Sequence, residues 1–212
     1  MTWIETFSGK RFDLLDPKPE QVDLADIAHA LARINRFTGH TSECYSVGEH
    51  SLHVLRLVER EYPDDNLLLA HALLHDAAEA YVGDVSAPMK WAMRESEGDG
   101  RTWFDSIERS VHETILAACG LPPLTYGQKK IIKQADLTML MTERAAFMPN
   151  TGQHSWDGGW NAGRRLTTDP EVLEILQSKI RMGSVYAVTA LFHESATKLL
   201  AAHGKLSDAN SP

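Results

Sequence analysis

Apolar residues along this chain return mostly at helical spacing. Ile27, Leu31 and Ile34 share one side of residues 26–36, the stripe expected of an amphipathic helix. Residues 37–45 contain Gly39 and polar positions and read as a loop. Leu52, Leu55 and Val58 mark a second helix over 47–61, which Tyr62-Pro63-Asp64-Asp65 ends. A third spans 66–82, with Gly83 as its stop. Pro88 suits the first turn of a short element over 86–93. Residues 95–101 (ESEGDGR) read as a polar loop. Residues 102–119 form a further helix, closed by Gly120 and Pro122-Pro123, and 126–148 a long one ended by Pro149. Residues 150–168 are rich in Gly, Trp and Asn and read as a structured loop, its WDGGW stretch as packing or a lid. Asp169-Pro170-Glu171 is a helix start, with a cap, a first-turn proline and an acid. Helical pattern then runs to about 202, with a break near Gly183.

Residues 1–25 differ. FDLLDPKPEQVD has two prolines and scattered apolar positions, which fits a short hairpin or an ordered arm. No strands alternate with helices, so the expectation is an all-α bundle of about six to eight helices with a short extended N-terminal arm. One domain over 1–205 accounts for it, with a core at about 26–148, a C-terminal helical extension at about 169–203 and a disordered polar tail at 206–212.

Composition narrows the function. The chain has 212 residues, 43% hydrophobic and 24% charged, with a formal net charge of −8 and no basic block. That argues against a nucleic-acid polymer or an anionic membrane surface as the main partner. Two cysteines, Cys44 and Cys119, make no disulfide framework and read as reduced thiols. MTWIETFSGKRF lacks the apolar core of a signal peptide, and no run approaches a membrane span. The cytoplasm is the expected location.

Against this ordinary background, ALLHDAAEAYVGD stands out. A helix apolar enough for the core carries His75, Asp76 and Glu79 within about one turn. Histidine offers a neutral nitrogen to a transition metal, and carboxylates offer anionic oxygen. Neighbouring helical residues point about 100° apart, so one ion binds both His75 and Asp76 only between their directions. Other helices must complete the shell, and His50 and Asp136 are suitable. Two His and two Asp suit Mn, Co, Fe, Ni or Zn, with open positions for water. Glu79, on the same face one turn on, can move a proton without being a ligand. Asp84 can orient that group or the substrate. Arg36 and Lys90 can supply positive charge to phosphate oxygens; equally, Arg36 can cap its helix and Lys90 can be a solvated charge. His71 reads as core or a support behind the ligands, and His53 as packed or on the surface. His112 and the remaining histidines have no evident partner.

The order His50, His75-Asp76, Asp136 is similar to the H…HD…D pattern of the HD superfamily of metal-dependent phosphohydrolases. VGEHSLHV resembles that family's first-histidine helix. ALLHDAAEAYVGDVSAPMK resembles the long motif of bacterial HD-type 5′-deoxynucleotidases. RFTGHT, YSVGEHS and WIETFSGKRFDLLDPKPE resemble small bacterial and phage HD proteins, phage dATP triphosphohydrolases among them. The likeness covers roughly residues 1–148.

It implies His50, His75, Asp76 and Asp136 as ligands of one divalent transition metal, with Glu79 as acid or base and Asp84 positioning water or substrate. It also implies that Arg36 binds phosphate and Phe37 packs near the sugar. Relatives often carry tryptophan where Phe37 stands, so exclusion of a 2′-hydroxyl would rest on shape. The implied reaction is hydrolysis of a nucleotide at the α-phosphate, giving nucleoside plus phosphate or triphosphate; the alternatives are an HD hydrolase of another phosphorylated metabolite or signalling nucleotide, and a non-enzymatic helical regulatory module. Relatives form dimers or larger rings, which implies a homo-oligomer; a phage-encoded chain would work in the host cytoplasm.

Overall fold

Asp23 begins the first helix by accepting a hydrogen bond from the Ala25 amide. The structure, a computed structural model, describes residues 2–98, 102–149, 167–177 and 184–204. Helix α1, Leu24–Leu31, buries Ile27, Ala28 and Leu31. It starts before residue 26 and stops well short of 36. Beyond it the chain pairs with a distant segment: Asn35 and Ser46 form an antiparallel bridge. The Arg36 amide donates to the Tyr45 carbonyl, and the Val47 amide to that of Ile34. Arg36 therefore lies on extended backbone, with φ −70° and ψ 166°, just before a 3₁₀ turn over Phe37–Gly39, and its side chain makes no cap hydrogen bond.

Helix α2, Val47–Glu61, opens with a reciprocal cap between Ser46 and Glu49 and is buried along most of its length. Helix α3, Asn66–Leu73, follows an Asp65 cap. The single helix expected over 66–82 is interrupted here. Leu74 leaves helical geometry, and α4 covers only Glu79–Val82 before Gly83 turns the chain at φ +79°. Between them the amides of Ala77, Glu79, Ala80 and Tyr81 donate three residues back. In such a tightened turn, residues three apart eclipse each other, which sets Glu79 over Asp76.

Helix α5, Ala87–Glu97, runs past the expected end at 93 into what the sequence gives as loop; the left-handed Gly98 closes it. Helices α6, Trp103–Ala118, and α7, Tyr126–Phe147, start at caps made by Thr102 with Asp105 and Thr125 with Gln128. Helix α8, Pro170–Gln177, follows Asp169, whose carboxylate accepts from the Val172 amide. Helix α9, Val185–Ala202, is capped by Ser184. The WDGGW loop, the break near Gly183 and the tail at 206–212 lie outside the described residues.

The N-terminal arm is a hairpin. Strands β1, Trp3–Glu5, and β2, Arg11–Asp13, pair antiparallel with Ile4 opposite Phe12. Phe12 is buried and stacks on Tyr81 of α4 at 3.8 Å between ring centroids. The bundle is all-α. Helix α2 packs on α3, α7 and α9, and α1 packs on α9 and α4. The helix count among the described residues exceeds eight because 66–82 is divided into α3 and α4. Among those residues no helix is long and apolar enough to cross a membrane.

Candidate metal centre

His50 lies in the first turn of α2 and is 0% exposed. Its Nδ1 meets Glu143 Oε1 at 2.6 Å. Glu143 sits on α7 with its carboxyl held below its ordinary range: burial opposes this, but Arg36 and His50 outweigh it. An ionised carboxylate only accepts, so Nδ1 of His50 carries the proton. His75, in the turn after α3, sets its Nδ1 2.8 Å from the Ala72 carbonyl. That carbonyl also only accepts, so His75 has the same tautomer. Both Nε2 atoms then face each other at 3.2 Å. Asp76 Oδ2 lies 3.1 Å from His75 Nε2 and 3.5 Å from His50 Nε2. These three residues offer ligand atoms all within 4.8 Å of one another, and the group can hold a metal ion.

Asp136, on α7, brings Oδ1 to 3.4 Å from His50 Nε2, and its other oxygen pairs with Lys133. The four sequence-predicted ligands thus gather from α2, the turn after α3 and α7. Burial resists charge on Asp76 and Asp136, yet the neighbouring histidines hold both carboxyls below their ordinary range, Lys133 adding to the effect at Asp136. Burial and the Arg36 charge disfavour protonated His50, but Glu143 and Asp136 prevail and lift it to about 9. The cluster thus sets two ionised carboxylates beside two imidazoles, with Arg36 and Lys133 paired to those carboxylates.

Glu79 is 7% exposed, and its Oε2 is buried without a hydrogen-bond partner. Burial, then Asp76 and Asp84, push its carboxyl well above the usual range. It lines a cavity of ≈ 320 Å³ with His75, Asp76, Lys90, Glu108 and His112. Asp84 follows α4, half-buried, and burial raises its carboxyl too.

Three predicted substrate residues sit differently from one another. Arg36 is 9% exposed and spends Nε on Glu143 at 3.0 Å, with NH1 3.5 Å from Asp76. The Phe37 ring lies 5.7 Å from its guanidinium, on backbone at φ 54°. A bulky residue there is strained by about 1–2 kcal/mol. Lys90 faces the cavity but is paired with Glu108 at 2.6 Å. His71 turns away and donates from Nε2 to the Pro122 carbonyl at 3.0 Å.

Sequence reasoning missed Glu143 and His112. Glu143 follows Asp136 by seven residues, two turns along one face of α7, and that spacing was its available signal. His112 reaches the cavity from α6 through tertiary packing alone.

No model of a known protein family matches the chain. It is similar to the uncharacterized protein YfdR of Escherichia coli, with 36% identity over 144 residues, or 68% of this chain and 71% of that protein. It is also similar to an uncharacterized protein of Rhodobacter capsulatus, with 41% identity over 140 residues, 63% of this chain and 67% of that protein. At this identity and coverage, the chain belongs to the family of YfdR.

Proposed function

We propose that the chain is an HD-type, metal-dependent phosphohydrolase that cleaves nucleotides or deoxynucleotides at the α-phosphate. The observation that carries this reading is the pair of Nε2 atoms 3.2 Å apart, each ring having its Nδ1 proton committed elsewhere. Two lone pairs at that distance repel, and the repulsion is relieved either by the proton that the raised His50 holds or by a metal cation that displaces it. Asp76 and Asp136 add anionic oxygen on the same side, a mixed nitrogen and oxygen set that fits one divalent transition ion such as Co, Mn, Zn, Fe or Ni. Such an ion, when bound, supplies Lewis-acid polarisation of a phosphoryl oxygen and acidifies water.

The protein's own groups do the rest. Glu79 takes the proton of the water attacking the α-phosphorus and returns it to the departing 5′ oxygen as the P–O bond breaks. A carboxyl raised by burial holds a proton readily, which suits its return to the leaving oxygen. Asp84 helps keep Glu79 raised. Lys90, on the cavity wall, offsets charge on the phosphate. A purely structural ion would need no free buried carboxyl beside it, so the unpartnered Glu79 oxygen favours catalysis.

The test is release of phosphate or triphosphate from dAMP, dATP, AMP and ATP, with and without added Co²⁺ or Mn²⁺. Metal-dependent release from at least one of them is expected. No release from any nucleotide with either metal overturns the proposal.

A further inference from the structure

We infer that Glu143 is a positioning residue of the metal centre and that Arg36 acts on that centre through it. This rests on the metal-centre reading above and adds how the centre is held. Glu143 is 0% exposed, so it meets neither solvent nor a substrate in the cavity. Oε1 takes His50 Nδ1 at 2.6 Å and Oε2 takes Arg36 Nε at 3.0 Å, and the buried Tyr45 hydroxyl also lies against the carboxylate. Arg36 NH1 reaches back to Asp76 Oδ2 at 3.5 Å, and the same oxygen lies 3.5 Å from His50 Nε2. The four side chains close a ring from α7 to α2 to the turn after α3.

Each link has a physical reason. A carboxylate taken wholly out of water is costly unless its oxygens are filled by strong donors. Arg36 fills one, which leaves the other free to fix the Nδ1 proton of His50. That fixes which nitrogen His50 shows to an ion and how its ring is turned. Helix α7 carries Asp136 and Glu143 two turns apart, so one rigid element places both a ligand and the support of another ligand. Arg36 has Nε and one terminal nitrogen turned to protein carboxylates. Its primary role is therefore to hold Glu143 and Asp76, where the sequence resemblance gives phosphate binding.

The experiment is Co²⁺ titration followed by visible absorption, on wild type, Glu143→Gln, Arg36→Met and the double variant, with folding checked by circular dichroism. An amide at 143 cannot accept from both donors, because one of its ends carries N–H. Each single variant should weaken Co²⁺ binding about 10- to 100-fold, and the double variant should be no weaker than Glu143→Gln alone. Unchanged Co²⁺ affinity in both single variants, with only KM raised in Arg36→Met, overturns this inference and leaves the metal centre standing. Wild type that takes up no Co²⁺ overturns both. If the variants do not fold, nitrogen-labelled histidine in the Zn²⁺-loaded wild type still decides. A hydrogen-bonded proton on His50 Nδ1 supports the assignment, and a proton on its Nε2 refutes it.

Discussion

Nε2 of His50 and Nε2 of His75 stand 3.2 Å apart, on residues separated by 25 positions in the chain. Neither ring can turn its other nitrogen inward without giving up the Glu143 or Ala72 hydrogen bond. A metal ion that takes the place of the proton between them and binds only the folded chain stabilises it by mass action. At 100 times its dissociation constant the gain is about 2.7 kcal/mol, or roughly 5–10 °C in Tm for a chain of this size. Calorimetry in EDTA against excess Co²⁺ should show that rise, and no rise is expected in His75→Ala.

Glu79 makes the second test. Glu79→Gln keeps the side chain's size and removes only its capacity to move a proton. Turnover should fall by about 10² to 10⁴, while Co²⁺ binding stays near that of wild type. Loss of metal together with activity would instead make Glu79 a ligand.

Acid should weaken the fold through a residue outside the ligand set. His53 is 2% exposed and its Nδ1 has no partner, so burial, opposed only in part by Glu143, drops the ring to about 4. The unfolded ring titrates near its ordinary 6.5, so between these values the unfolded chain binds more protons. Stability is therefore full above about 6.5 and falls as pH drops towards 4, by about 3 kcal/mol for this group. Urea unfolding at pH 7 and pH 5 measures it, and His53→Gln should flatten the dependence. His112 is displaced in the same direction, also to about 4, mainly by burial.

Gly48 marks a close approach that supports His50. A Cβ there would meet Val188 Cγ1 at 3.0 Å and the Ala32 backbone nitrogen at 3.2 Å. Alanine normally helps a helix by about 1 kcal/mol. Here the backbone of Ala32 cannot swing aside, so Gly48→Ala should be destabilising by about 1–3 kcal/mol. Thermal melting checks the sign.

Much of this fold is legible in the chain because caps and stops are local. Thr102 with Asp105, Thr125 with Gln128 and Asp169 with Pro170 announce their helices within a few residues. The failures are non-local. The apolar spacing through 66–82 continues unbroken, and nothing in it shows the tightened turn that sets Glu79 over Asp76. Arg36 leaves helical backbone because Asn35 pairs with Ser46, eleven residues on, a partnership that periodicity does not encode. The His and Asp candidates were readable as chemistry and order. Glu143 had only its two-turn spacing from Asp136 to mark it, because burial does not show in sequence and an acid on a long helix there looks like any exposed glutamate.

The most direct measurement is metal content and nucleotide hydrolysis on the same purified protein, before and after chelation and again after adding back Co²⁺. The account predicts one divalent ion per chain, loss of phosphate or triphosphate release when it is removed, and recovery on its return. Full hydrolysis by metal-free protein would contradict it.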